Sequence, residues 1–88
     1  MDLRENDLGD EGADTIMRMI IGDYFQGITE LRLQRNGIGE KGFVKIIKAL
    51  QSLHERKCPR LIRCGLEGNN IAADAKRKYS PLPACVSV

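Results

Sequence analysis

Three glycines in the stretch RNGIGEKG, namely Gly37, Gly39 and Gly42, stand at the G-x-G-x-x-G spacing with which nucleotide-dependent enzymes cradle a pyrophosphate. That chemistry needs backbone N–H groups unshielded by side chains at the positive end of a helix. Leu31 and Leu33 precede the glycines as a strand would, an amphipathic pattern follows them, and Glu67 stands after the next strand, where a ribose-binding acid could be. Other chemistry-bearing residues are sparse. His54, the sole histidine, lies beside Glu55, Arg56 and Lys57, a context for a surface residue rather than an acid-base catalyst. Cys58, near Lys57 and Arg60, reads as an ordinary exposed thiol, and Cys64 as a small hydrophobe. Asp10 and Glu11 are adjacent, so on a helix they diverge; they read as charge placed near a positive helix N-terminus. No zinc-like spacing of cysteines and histidines occurs, and no metal or cofactor is expected.

The elements that would have to position these residues belong to a small domain. With 88 residues, 42% of them apolar and 30% charged, the chain has the composition of one soluble globular unit. A domain of this size buries only roughly 60 to 65% of the surface its unfolded chain exposes, which leaves no room for a two-domain enzyme. The first residues are charged, and no apolar run is long enough for a secretion signal or membrane span. An odd number of cysteines without a C-x-x-C pair is a poor disulfide framework, so the expected location is the cytoplasm or nucleus. The net charge of +2 hides an asymmetry. Residues 1–44 hold five Lys/Arg against nine Asp/Glu, a balance of −4, whereas residues 45–88 hold nine against three, a balance of +6.

Self-comparison changes the meaning of the glycines. Residues 3–20, LRENDLGDEGADTIMRMI, match residues 33–50, LQRNGIGEKGFVKIIKAL, at a constant offset of 30. Leu3 pairs with Leu33, Asn6 with Asn36, Leu8 with Ile38, Gly9 with Gly39 and Gly12 with Gly42. The helical face repeats as Ala13, Ile16, Met17, Ile20 and as Phe43, Ile46, Ile47, Leu50, both at the spacing of an amphipathic helix. A weaker third copy, at an offset of 33, runs through Leu61, Cys64, Leu66, Asn69 and Ile71. Asp7 stands in the first copy where Gly37 stands in the second. Gly39 and Gly42 are therefore repeat punctuation, Gly37 is incidental, and the polar residues Gln34, Arg35 and Asn36 break the apolar run that a dinucleotide-binding strand would need.

The unit L-x-x-L-x-L-x-x-N-x-L resembles the leucine-rich repeat family, and the run L-x-x-N-x-[LI]-G-[DE]-x-G-[AF] resembles its ribonuclease-inhibitor subtype. The resemblance spans about residues 1–79, as repeats at about 1–25, 26–58 and 59–79. It implies an α/β solenoid with a short parallel sheet on the concave face and helices on the convex face. Ile16, Met17, Ile46 and Ile47 are expected in the core, and the asparagines in one column. The third helix should fade near Ser80, before Pro81 and Pro83. Residues 80–88 are an extended or disordered tail, which either covers the core through Leu82, Cys85 and Val86 or stays free. The chain opens within a strand, as an excerpt of a longer array or with that strand covered by another chain.

Repeat proteins of this type mainly bind other proteins through side chains projecting from the strands. Period-2 alternation names the candidates: Asp2 and Arg4; Glu30, Arg32 and Gln34; Arg63, Gly65 and Glu67; and Arg35 just beyond its strand. The expected function is a non-catalytic interaction module or scaffold, part of a larger array or assembly, with another protein as partner. A regulatory protein, such as a small-GTPase activator or an enzyme inhibitor, is the alternative. Nucleic-acid binding through Arg56, Lys57, Arg60, Arg63, Lys76, Arg77 and Lys78 ranks below both, because only Tyr79 stands ready to stack on a base.

Overall fold

The computed structural model describes residues 1–22, 28–55 and 63–88. Helix α1 spans Gly9–Ile21 and helix α2 Glu40–Glu55. Each begins with acidic charge in its first turn, Asp10 and Glu11 in α1 and Glu40 in α2, and carries its apolar residues at helical spacing, so each presents one greasy stripe. The stripes face the same interior: Ala13, Ile16 and Ile20 of α1 and Phe43, Ile46, Ile47, Ala49 and Leu50 of α2 are all buried. Met17 departs from the expectation. It is only partly buried, because among the described residues α1 has a helix packed along one flank only, that of α2.

Among the described residues three short strands make one parallel sheet in the order β1 (Glu30–Arg32), β2 (Arg63–Gly65), β3 (Val86–Ser87). Leu31 pairs with Cys64 and Arg32 with Gly65, which is the offset of 33 that relates the second and third copies in sequence. Asp2 makes a parallel bridge to Arg32, at the offset of 30 that relates the first and second. Leu31, Leu33, Cys64 and Leu66 turn inward and are at most 1% exposed, against the helices and Ile38. The result is an α/β layer pair: a parallel sheet with one face on the core and the other open.

The third copy is the shortest. Helix α3 covers only Ala73–Lys78, and Tyr79 follows as its C-cap, packing edge-on against Phe43 with ring centroids 6.3 Å apart. Lys76 stands where Ala13 and Phe43 stand in the other copies, and Pro81 and Pro83 cannot continue a helix. The segment expected as an extended or disordered tail carries β3. Cys64 and Leu66 donate their backbone N–H groups to Cys85 and Ser87 at 2.7 and 2.8 Å, and Leu82, Cys85, Val86 and Val88 pack against the core.

Asparagines tie the copies together. Asn36 is fully buried, the one polar residue so placed among the described residues. Its side-chain oxygen accepts the Asn6 N–H, and its amide nitrogen donates to the carbonyls of Leu3 and Leu33 at 2.8 and 3.1 Å. Asn69 repeats the arrangement one copy on, accepting from Asn36 and Ile38 and donating to Leu33 and Leu66. An amide side chain suits the task because it offers donors and an acceptor at once.

Candidate functional site

The glycine stretch holds no vacant anion cradle. At the start of α2 the N–H groups of Gly39 and Gly42 both donate to Oδ1 of Asp10, at 2.8 and 3.0 Å. A phosphate would meet a carboxylate already in place. Asp10 thus serves the helix of the next copy rather than only its own. Gly42 is required by the same closeness: a Cβ there would stand 2.6 Å from the Ala13 Cβ and 2.7 Å from Asp10 Oδ1. Gly37 is not incidental after all. It adopts φ +68°, and Asp7 takes φ 54° at the equivalent place, so in the first two copies the turn holds a left-handed residue there, which glycine supplies without strain.

The open face of the sheet carries the expected contact residues, mostly neutralised in pairs. Arg4 grips Asp2 through two guanidinium contacts of 2.9 and 2.7 Å, and also donates its backbone N–H to it. The Arg4 side chain first, then that backbone N–H, hold the Asp2 carboxyl at about 2. Arg32 pairs with Glu30 at 2.5 Å and is the main cause of that carboxyl lying below its ordinary range. Both pairs join residues two apart on one strand face, as alternation requires. Arg35 pairs with Glu5 of the preceding copy at 2.9 Å. All these side chains are at least 35% exposed, so the pairs add little stability and serve to set a charge pattern. Arg63 is exposed, and its guanidinium has no ion-pair partner among the described residues.

Beyond the strand ends the face sinks into an open depression of about 670 Å³ lined by Asp2, Arg4, Glu5, Gln34, Arg35, Glu67 and Gly68. Arg4, Gln34 and Glu67 occupy one register position in successive copies, and Glu5, Arg35 and Gly68 the next, so two columns of the repeat form the walls. Asp2, Arg4, Gln34, Arg35 and Glu67 of the expected set meet here, whereas Glu30, Arg32 and Arg63 lie on the strands outside it. Gly65 differs from expectation. It is buried, because the Gln34 side chain lies across it: a Cβ on Gly65 would overlap the Gln34 amide, with Cδ only 2.8 Å away. Arg35 crosses Gly68 likewise, its Cγ 2.9 Å from where a Cβ would be. Glu5 and Gly68 were missed in the sequence although the column through Arg35 contains both.

Glu67 ends the row. Its Oε1 accepts the Ser87 hydroxyl at 3.0 Å, a contact that exists only because β3 joins the sheet. Its own backbone N–H chiefly, then the Ser87 hydroxyl, the Leu66 N–H and the Gln34 amide, hold its carboxyl below the ordinary range against the opposing effect of desolvation. Oε1 of Gln34 is shielded from solvent and receives no hydrogen bond from the described residues.

The repeat units and their asparagine column can be set against known proteins. A family model described as Leucine Rich repeat matches residues 1–17 and 28–46. The match supports the leucine-rich repeat family and falls on the first two copies, where the sequence pattern is strongest. Comparison with curated proteins gave no match. The depression crosses three consecutive copies of the sequence unit on the open face of the sheet.

Of the basic residues proposed for nucleic acid, those described lie on different elements. Arg63 stands on the open sheet face, while Lys76, Arg77 and Lys78 belong to α3. Arg77 pairs with Asp74, and Tyr79 is engaged by Phe43 on one side and by the Lys78 ammonium at 5.6 Å. Arg56, Lys57, Cys58 and Arg60 lie outside the described residues, as does the side chain of His54 and the repeat boundaries at 25/26 and 58/59. Among the described residues no helix is long and apolar enough to cross a membrane, and no three His, Cys, Asp or Glu side chains cluster as a metal site.

Proposed function

We propose that the chain is a non-catalytic protein-interaction module of the ribonuclease-inhibitor-like leucine-rich repeat type, acting in the cytosol or nucleus within a larger array or assembly. Its concave strand face, with Asp2, Arg4, Glu30, Arg32, Gln34, Arg35, Arg63 and Glu67, is the contact surface. The observation that carries this reading is the depression built from the same register positions of three units. Repetition brings polar side chains of different chemistry side by side on a rigid sheet, and such a surface can be matched by a partner without any moving part.

A photo-crosslinking side chain placed at Arg32 on the strand face, compared with one at the exposed Lys48 on α2, tests the proposal in cell extract. Protein adducts are expected from position 32 and not from position 48. Equal adducts from both positions, or none from position 32, would defeat it.

A further inference from the structure

The first copy is less covered than the second at the same register positions. Met1 is 45% exposed, whereas its counterpart Leu31 is inaccessible. Leu3, Leu8 and Met19 are only partly buried, whereas Leu33, Ile38 and Ala49, their counterparts at the offset of 30, are at most 2% exposed. Contacts between the copies show what supplies that cover. A Cβ on Gly42 would touch Ala13 and Asp10, and the Lys45 ammonium holds Asp14 at 2.8 Å, so the stripe Gly42, Lys45, Ala49 lies along α1. The matching stripe of α1 is Gly12, Thr15 and Met19, and among the described residues only α2 packs along α1, on its other flank. The strand edge is bare on the same side. The Met1 carbonyl and the Leu3 N–H bond Arg32, so Asp2 between them turns its N–H and C=O outward, and no group among the described residues bonds either. Arg4, two residues on, also points its backbone outward, its N–H to the Asp2 carboxylate and its carbonyl to the Asn6 amide.

We infer that this end of the sheet and helix layers is an isologous interface for a second copy of the chain, the two first strands running antiparallel about a two-fold axis at Leu3. Outward N–H and C=O groups on alternate residues are what an antiparallel pair exchanges. The axis sets Asp2 opposite Arg4 of the second copy, and Arg4 opposite Asp2 of that copy. The edge is thereby its own complement in charge, since each acid meets a base across the strands. An apolar stripe alone would suit many partners; the alternation of Asp2 and Arg4 is what selects a second copy. On the core side Leu3 meets Leu3, which extends the layer of Leu3, Leu33 and Leu66 across the axis. Behind the strands the uncharged stripe Leu8, Gly12, Thr15, Met19 runs antiparallel to itself, Leu8 of each copy toward Met19 of the other. Gly12 permits close approach there, as Gly42 does between α1 and α2. A two-fold contact closes on itself, so association stops at the dimer. The inference needs no other protein and stands apart from the reading of the concave face.

Sedimentation equilibrium of the 88-residue chain tests it. A monomer–dimer equilibrium is expected, with a dissociation constant of about 1 to 100 μM for an interface at the small end of specific contacts. Asp2→Arg and Arg4→Asp, taken singly, each set like charges opposite one another and should weaken the dimer about tenfold or more. An equimolar mixture of the two variants should recover a mixed dimer. Both variants lose the internal Asp2–Arg4 pair, so recovery on mixing reads the contact between chains and not that pair. Met19→Lys, which brings a charge into the stripe, should abolish association while the helical circular dichroism is kept; if that signal is lost, Thr15→Arg at an exposed position of the same stripe takes its place. A chain that stays monomeric up to about 500 μM, above the expected range, would overturn the inference. Growth beyond the dimer, a mixture of the Asp2 and Arg4 variants that associates no better than either alone, or an undiminished dimer in the folded stripe variant would overturn it equally.

Discussion

The side-chain oxygen of Asn36 accepts the backbone N–H of Asn6 at 2.7 Å, so one copy's buried amide completes the turn of the copy before it. Removing it orphans more than one group at once. Asn36→Ala leaves the Asn6 N–H and the Leu3 carbonyl short of a partner around a fully buried site, whereas the carbonyls of Leu33 and Gln34 keep the Asn69 amide and the Glu5 N–H. The expected loss is about 3 kcal/mol or more in urea denaturation, since each shielded group left unmet costs about 1 to 3 kcal/mol. Asn6→Ala should cost less than about 1 kcal/mol, because the exposed Asn6 amide reaches only the nearby Arg4 carbonyl. Equal losses for the two substitutions would mean that the column does not hold the units together.

Helix packing rests on an absence of atoms at Gly42. Alanine is the better helix former by about 1 kcal/mol, so an unstrained Gly42→Ala would stabilise α2. Contact with Ala13 and Asp10 at 2.6 and 2.7 Å reverses the sign, and overpacking of this kind costs about 1 to 3 kcal/mol. Combining it with Ala13→Gly should recover part of the loss, measured as coupling in a double-mutant cycle. Additive losses would place the strain elsewhere.

Asp10 caps the neighbouring helix, and its value can be read separately. Asp10→Ala withdraws the acceptor of the Gly39 and Gly42 N–H groups and should lower the urea midpoint by an amount equivalent to about 1 kcal/mol. Asp10→Asn, which keeps an oxygen in place, should restore most of it. If Glu11→Ala, one residue along, costs as much as Asp10→Ala, the effect is general helix-start charge and not this cap.

These cases divide what the sequence made legible from what it hid. The Leu31–Cys64 and Asp2–Arg32 pairings follow the repeat offsets, because strands stacked unit on unit inherit their register from the period. The asparagine column and the buried faces of α1 and α2 were readable for the same reason. What a period cannot express is which side chain of one unit lies over the next. Asp10 looked like charge for its own helix, Gly65 like a bare position on the open face, and Gly37 like chance; each is explained by a neighbour in space or by a backbone angle. The segment at 80–88 carries no repeat signal, so its strand could not be read from pattern. Of the candidate site, the strand residues were readable by alternation, while the depression was not, since it arises from Gln34 and Arg35 folding down over Gly65 and Gly68.

Strand β3 shields the last apolar layer. Deleting residues 81–88 removes the acceptors of the Cys64 and Leu66 N–H groups and uncovers Cys64 and Leu66, both nearly inaccessible in the intact chain. A lower and broader thermal transition is expected, together with binding of a fluorescent hydrophobic dye. An unchanged midpoint would show that the segment is a passenger on the sheet.

Cys64 gives the sheet a weakness toward alkali. Burial chiefly, with smaller contributions from Cys85 and Glu67, pushes its thiol from an ordinary 9.0 up to about 12. The folded state therefore holds the proton over a range in which the unfolded chain has released it. Stability from this group is complete below pH 9.0 and is lost progressively as the pH rises toward about 12. The loss amounts to about 1.4 kcal/mol one pH unit above the unfolded value. Cys85 is raised by burial as well and adds a loss of the same sign. Cys64→Ala should start from a lower stability at neutral pH, having lost its packing, yet decline less steeply between pH 8 and 10, which urea titrations at a series of pH values would measure. Parallel declines for the two proteins would show that the Cys64 thiol ionises as readily in the folded state as in the unfolded one, and that the β2–β3 layer does not exclude water from it.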